Sequence, residues 1–215
     1  MKKNIVWSIV TLVGLYVMCQ LIADIGATKF VQVGPYVLPA GTFIFAVTFT
    51  LRDMVHKRLG KDWAQVSIVM AAVFNIILSA YLWLMTRIPA PPFFALGEAW
   101  DTIFAIVPSI TIASILAELV SELVDTEVYH FWAHHPKLEK WPQWTRVIAS
   151  NVVSLPIDSL IFATLAFTVL PRFLGGSVTP FGVALSLVVG QTILKGVVTI
   201  ISLPGIYMVK EEKII

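Results

Sequence analysis

"TIFAIVPSITIASILAELVSELVD", residues 102–125, decides how the rest of the chain is read. No charged residue occurs from Thr102 to Ala117, and an apolar helix of ~20 residues is long enough to cross a bilayer. Glu118, Glu122 and Asp125 then follow within eight residues. On a helix these three carboxylates fall within about 60° of one another, with Ser114 and Ser121 on the same side. Ala113, Ala117 and Ser121 repeat at four-residue spacing beside them, a small-residue face that lets another helix approach. Ile112, Leu116, Leu119, Val120 and Leu123 fall on the opposite side, suited to lipid or apolar packing. The segment reads as a membrane span with one side made for the interior of a bundle.

Composition agrees. The chain is 58% hydrophobic and 13% charged, with a mean hydropathy of +0.86, whereas a soluble domain has about 25% charged residues. The net charge of +2 comes without a basic stripe interleaved with aromatics, so nucleic acid is not an expected partner; the lipid bilayer is. Cys19 is the single cysteine, which excludes an intrachain disulfide and a cysteine metal cluster and leaves apolar packing as its role. Lys2 and Lys3 precede an apolar stretch from Ile5 to Ala23, longer than a signal core of about 7–15 residues, so it reads as a retained first span.

Residues 1–215 read as a single all-α, polytopic membrane domain of six spans near 4–26, 35–53, 64–86, 102–125, 147–170 and 179–208. Pro89, Pro91 and Pro92 mark a loop at 87–101, and Pro171, Gly175, Gly176 and Pro180 mark another at 171–180. Lysine and arginine set the orientation. With the N-terminus inside, eleven lie on the inner side and three, Lys29, Arg87 and Arg172, on the outer side. Both termini and the 126–146 connection are therefore expected to be cytoplasmic. Trp132, Trp141 and Trp144 then lie in or near that connection, at the membrane interface.

Ionisable groups deep in a span cost at least ~2.5–3.5 kcal/mol and usually face a cavity or a partner. Four spans carry such groups on helical stripes: Gln20, Asp24 and Thr28 in span one, the acids of span four, Asn151, Ser154 and Asp158 in span five, and Gln191, Lys195, Thr199 and Ser202 in span six. Pro156 interrupts the span-five ladder and could free carbonyls toward a cavity. The pattern predicts a polar site enclosed by the bundle. Asp158 and Lys195 could form a structural salt bridge, but Glu118 and Glu122 exceed what one lysine neutralises. Asp24, Asp53 and Asp125 lie near span ends, where they could meet water.

Enzyme readings find no machinery. The string "HFWAHH" (130–135) resembles one box of a membrane di-iron enzyme, but His56 is the sole histidine elsewhere, so no metal site and no cofactor are expected. The chain has no H-E-x-x-H, no G-x-S-x-G, no P-loop and no G-x-G-x-x-G. A binding or transport site fits better.

Three stretches carry a resemblance: "LPAGTFIFAVTFTLRDMVHKRLG" (38–60), "AELVSELVDTEVY" (117–129) and "RVIASNVVSLPIDSLIFATLAF" (146–167). Together they resemble the vitamin-uptake-transporter family, also called the queuosine-precursor transporter family, whose members are six-helix prokaryotic membrane proteins. This chain has Lys57, Glu122 and Leu155 where many members have glutamate, glutamine and glutamine. The resemblance implies uptake, across a prokaryotic inner membrane, of a 7-deazaguanine such as preQ0, preQ1 or queuine, not catalysis. A guanine-like edge offers adjacent N–H donors that a carboxylate accepts in bidentate fashion. A ring carbonyl suits Asn151, Gln191 or Lys195 as donors, and Phe43, Phe45, Phe49 and Phe162 are candidate stacking partners.

The expected substrate site is Glu118, Glu122, Asn151, Asp158, Gln191 and Lys195, with Asp24, Arg52, Asp53 and Asp125 at the gates. The surplus of acid favours an amine-bearing ligand or proton coupling. A homo-oligomer is compatible with the sequence. Two alternatives stay open: the substrate-binding subunit of an ATP-driven vitamin importer, and a membrane enzyme acting on a lipid headgroup.

Overall fold

The computed structural model describes residues 3–59, 61–135, 137–138 and 140–208. The order is α1 (Lys3–Gly26), a hairpin of β1 (Phe30–Val33) and β2 (Tyr36–Pro39), α2 (Thr42–Leu59), α3 (Lys61–Met85), α4 (Gly97–Phe104), α5 (Val107–His134), α6 (Gln143–Thr164), a π turn over Leu165–Val169, α7 (Pro171–Leu174) and α8 (Phe181–Met208). The protein is an all-α, polytopic membrane protein with one small antiparallel sheet.

Among the described residues, five stretches are long and apolar enough to cross a bilayer: Ile9–Gly26, Asp62–Met85, Gly97–Asp125, Val147–Leu174 and Phe181–Ser202. The apolar part of α2, Thr42–Arg52, is shorter. Yet α2 runs back along α1. Gly26 touches Gly41 at one end, while Val55 and Leu59 pack with Ile9, Leu12 and Val13 at the other. Its polar residues Thr48, Thr50 and Arg52 turn inward. A short apolar run suffices for a helix whose polar side is covered by protein rather than lipid.

The helices are amphipathic in the inverted sense. On α3, Ser67, Ala71, Asn75, Ser79 and Leu82 are buried, while Val66, Val69, Ile76 and Ile77 are exposed. On α5, the lipid-side set Ile112, Leu116, Leu119, Val120 and Leu123 is exposed and Ala113, Ala117 and Ser121 are buried, in agreement with the sequence reading. Ala113 on α5 and Ala163 and Ala166 on α6 and its π turn share one core cluster with Ile110, Phe167 and Leu187. Small residues there let α5 and α6 pack closely.

The structure corrects several boundaries. Residues 35–41 do not open the second span: Phe30↔Pro39 through Val33↔Tyr36 pair as strands, turned at Gly34 (φ 59°) and Pro35. Glycine tolerates that positive φ, and Pro35 and Pro39 have no N–H to give a helix. The 87–101 segment is loop only as far as α4. Helix α5 begins at Val107, after a break before Pro108, and continues past Asp125 to His134. Pro156 lies within α6, but it and Val152 are exposed, so the interruption faces away from the side that buries Asp158.

The start of α2 lies close against α1 because Gly41 has no side chain. A Cβ on Gly41 would come within 2.0 Å of the Ala23 carbonyl oxygen and 2.8 Å of the Ala27 nitrogen. Neither backbone atom can swing aside. Gly41→Ala is expected to destabilise by about 1–3 kcal/mol or more. Gly14→Ala, where nothing lies within 4 Å, should be neutral or stabilising by up to ~1 kcal/mol from helix propensity. Thermal unfolding midpoints in detergent compare the two; equal midpoints would show that the α1–α2 contact is not tight.

Candidate functional site

Five helices and the end of the hairpin line a small, partly open cavity. Its wall includes Asp24 from α1, Pro39 from β2, Gly41 before α2, Thr42 and Phe45 from α2, Ser114 from α5, Asp158 and Phe162 from α6, and Gln191 and Lys195 from α8. Gln191 and Lys195 lie one turn apart on α8 and so share a face. Asp158 and Phe162 do the same on α6.

Lys195 and Asp158 form a buried ion pair: the Lys195 ammonium donates to Asp158 Oδ2, and each side chain is only 2% exposed. The Ser121 hydroxyl donates to Asp158 Oδ1 at 3.3 Å. The Lys195 ammonium also lies 4.9 Å from the centre of the Phe45 ring, a cation–π distance. Gln191 is buried, and among the described residues its Nε2 has no hydrogen-bond partner. Asp24 is buried as well; the Thr111 hydroxyl donates to its Oδ2 at 3.0 Å.

A second polar cluster adjoins this cavity, built from α1, α2 and α5. Tyr16 Oη donates to Glu118 Oε1 at 3.0 Å, and Gln20 Nε2 donates to the same oxygen at 3.1 Å. Arg52 pairs with Glu122 at 3.8 Å and lies 5.5 Å from the centre of the Phe49 ring. Further along α5, the Ser154 hydroxyl donates to Asp125 Oδ1 at 2.9 Å. Thr50 donates to Ser202, tying α2 to α8.

Of the six expected substrate residues, Asp158, Gln191 and Lys195 share the cavity wall. Glu118 and Glu122 belong to the second cluster, and Asn151 is on neither wall among the described contacts. Asp24, expected at a gate, instead lines the cavity, while Arg52 and Asp125 hold neighbouring helices together. The side chain of Asp53 lies outside the described residues, as do those of His130 and His134. Arg52 changes the charge balance read from the sequence: Lys195 is not the sole cation facing the acids. Phe45 and Phe162 line the cavity, whereas Phe49 carries Arg52 and Phe43 is exposed. Tyr16 and Thr111 were not singled out in the sequence. Tyr16 lies one turn before Gln20 and extends the stripe to Asp24, a signal available at four-residue spacing.

An apolar exterior around a buried ion pair and its polar neighbours marks a multi-pass membrane protein. Residues 39–209 match the family described as "Putative vitamin uptake transporter", and the chain belongs to that family. No curated protein and no solved structure matches the chain.

The ion pair gives a stability prediction. Asp158→Asn strands a buried cation and should cost about 3–5 kcal/mol. Asp158→Asn combined with Lys195→Met removes both charges and should recover much of that loss. Detergent unfolding of the two single variants and the double variant measures the coupling. Simple addition of the single effects would contradict the pairing.

Proposed function

We propose that the protein imports a queuosine precursor, a 7-deazaguanine such as preQ0, preQ1 or queuine, across a prokaryotic inner membrane without chemically altering it. The observation that carries this reading is the internal cavity, with its buried Asp158–Lys195 pair and its two aromatic walls, in a chain of the vitamin uptake transporter family. A planar, polar heterocycle matches that chemistry. Phe45 and Phe162 offer ring contacts, and Asp24, Gln191 and Lys195 offer polar ones. Purine-like ligands need both kinds of contact to leave water.

Transport is proton-coupled in this reading. Carboxylates recur through the bundle interior at Asp24, Asp158, Glu118 and Glu122, with hydroxyls between them at Thr111, Ser114, Ser121 and Tyr16. Such a series can hand protons along the route that the ligand takes. In this reading α2 is a sixth crossing beside α1, and both termini are cytoplasmic by the lysine and arginine bias.

Two measurements test it. In a Cys19→Ala background, a cysteine at Lys137 should react with an impermeant reagent only after the cells are permeabilised; labelling of intact cells would overturn the orientation. Proteoliposomes containing the protein alone should accumulate labelled preQ1 or preQ0 when an inward proton gradient is imposed, and a protonophore should abolish the accumulation. Binding without uptake until an ATPase is added would favour the subunit of an ATP-driven importer. Conversion of a lipid headgroup without uptake would favour an enzyme.

A further inference from the structure

The cavity wall holds two buried polar groups, Asp24 and Gln191, that the protein supplies unequally. Within the interior, Lys195 neutralises Asp158. Arg52 pairs with Glu122, and Tyr16 and Gln20 both donate to Glu118. Asp24 differs. It is 3% exposed, and among the described residues its neighbours provide hydroxyls, Thr111 and Ser114, with no cation. A carboxylate accepts about four hydrogen bonds, so Asp24, with two hydroxyls, keeps room for further donors, and unlike Asp158 it has no ion-pair partner among the described residues. Gln191, 1% exposed and in the wall of the same cavity, has the opposite need: its Nε2 donor has no acceptor. A buried polar group left unpaired costs ~1–3 kcal/mol, more when charged. A carboxylate with room for further donors and an amide nitrogen without an acceptor, lining one cavity, describe the complement of a ligand edge.

Resting on the import reading above, we propose that Asp24 and Gln191 are the specificity pair that reads the ligand. Asp24 accepts two adjacent N–H donors, and Gln191 Nε2 donates to a ring carbonyl next to them. The edge recognised is acceptor–donor–donor, the 2-amino-4-oxopyrimidine edge of guanines, 7-deazaguanines and pterins. An adenine-type edge reverses the pattern: its exocyclic amine meets the Gln191 donor and its ring nitrogen meets the Asp24 carboxylate. Asp158 and Lys195 satisfy each other and serve as the fixed wall against which the ring is held, with Phe45 and Phe162 as apolar surface. Asp24 therefore acts on the ligand directly, although its place near the end of α1 suggested a gate.

Competition binding to the purified full-length protein tests the assignment. The probes are preQ1, its analogue lacking the 2-amino group, guanine, a 2-amino-4-oxopteridine and adenine. Wild type should prefer preQ1 over the analogue lacking the amino group by roughly tenfold to hundredfold, the ratio expected for hydrogen bonds to a charged group. Asp24→Asn should erase that preference by weakening preQ1 selectively. A structural role for Asp24 would weaken both compounds in parallel, and this would overturn the proposal. Gln191→Leu supplies an independent arm should Asp24→Asn fail to fold. It should lower affinity for the carbonyl-bearing ligands and narrow their advantage over adenine; an unchanged ratio would overturn the proposal. If guanine and the pteridine bind with this dependence while preQ1 does not, the substrate reading fails and the edge assignment stands. If preQ1 binds equally well to wild type and both variants, the substrate reading stands and the edge assignment fails. Absence of binding by every probe, or a preference for adenine, overturns both.

Discussion

The buried pair of Asp158 and Lys195 is the constraint around which the bundle is arranged. Each ion has lost its water, at several kcal/mol apiece, and their mutual attraction offsets this only where geometry and further hydrogen bonds are good. The pair therefore fixes the neighbouring faces of α6 and α8. Ser121 brings α5 to the free oxygen of Asp158, and Phe45 brings α2 over the ammonium. Four helices meet at one charge pair, and the cavity beside it follows from their convergence.

Away from this centre the interior is held by smaller polar links. Tyr16 and Gln20 secure Glu118, Arg52 secures Glu122, and Ser154 secures Asp125. Each joins two helices that lipid alone would not hold together, because hydrocarbon chains are as apolar as leucine. The apolar cluster under the hairpin supplies close packing instead. Phe167 meets Phe30 edge-on at 4.9 Å and Phe162 at 5.6 Å. Charge sets which helices face one another, and small and aromatic residues set how closely they sit.

Much of this was legible in the chain. Charge-free runs marked the long apolar helices, and four-residue spacing of polar residues identified which side of α1, α5, α6 and α8 turns inward. Asp158, Gln191 and Lys195 were found together because depth in a span is visible as distance from the nearest loop signal. The hairpin was not found. Its residues are as apolar as a span, and the Gly34–Pro35 turn between two β-branched runs is a short signal beside a long hydrophobic one. The burial of Asp24 is hidden for the same reason: with the hairpin folded over residues 30–39, the end of α1 is covered by protein rather than water. The partition of the acids was also hidden. Glu118, Glu122 and Asp125 share a helix face, but whether each meets a lysine, an arginine or hydroxyls depends on helices distant in sequence.

The pairing of α2 with α8 has a consequence for biogenesis. Thr50 and Ser202, which bond across that contact, are 152 residues apart, and Lys195 follows its partner Asp158 by 37. A ribosome delivers α8 last. Until then α2 carries an inward-facing Thr50 without the helix that it bonds, and α6 carries an unneutralised aspartate. Both must be sheltered by α1 and α5, or by the insertion machinery, while the remaining chain is made. A bundle without α8 would therefore lack not only one wall of the cavity but also the partners of Thr50 and Asp158.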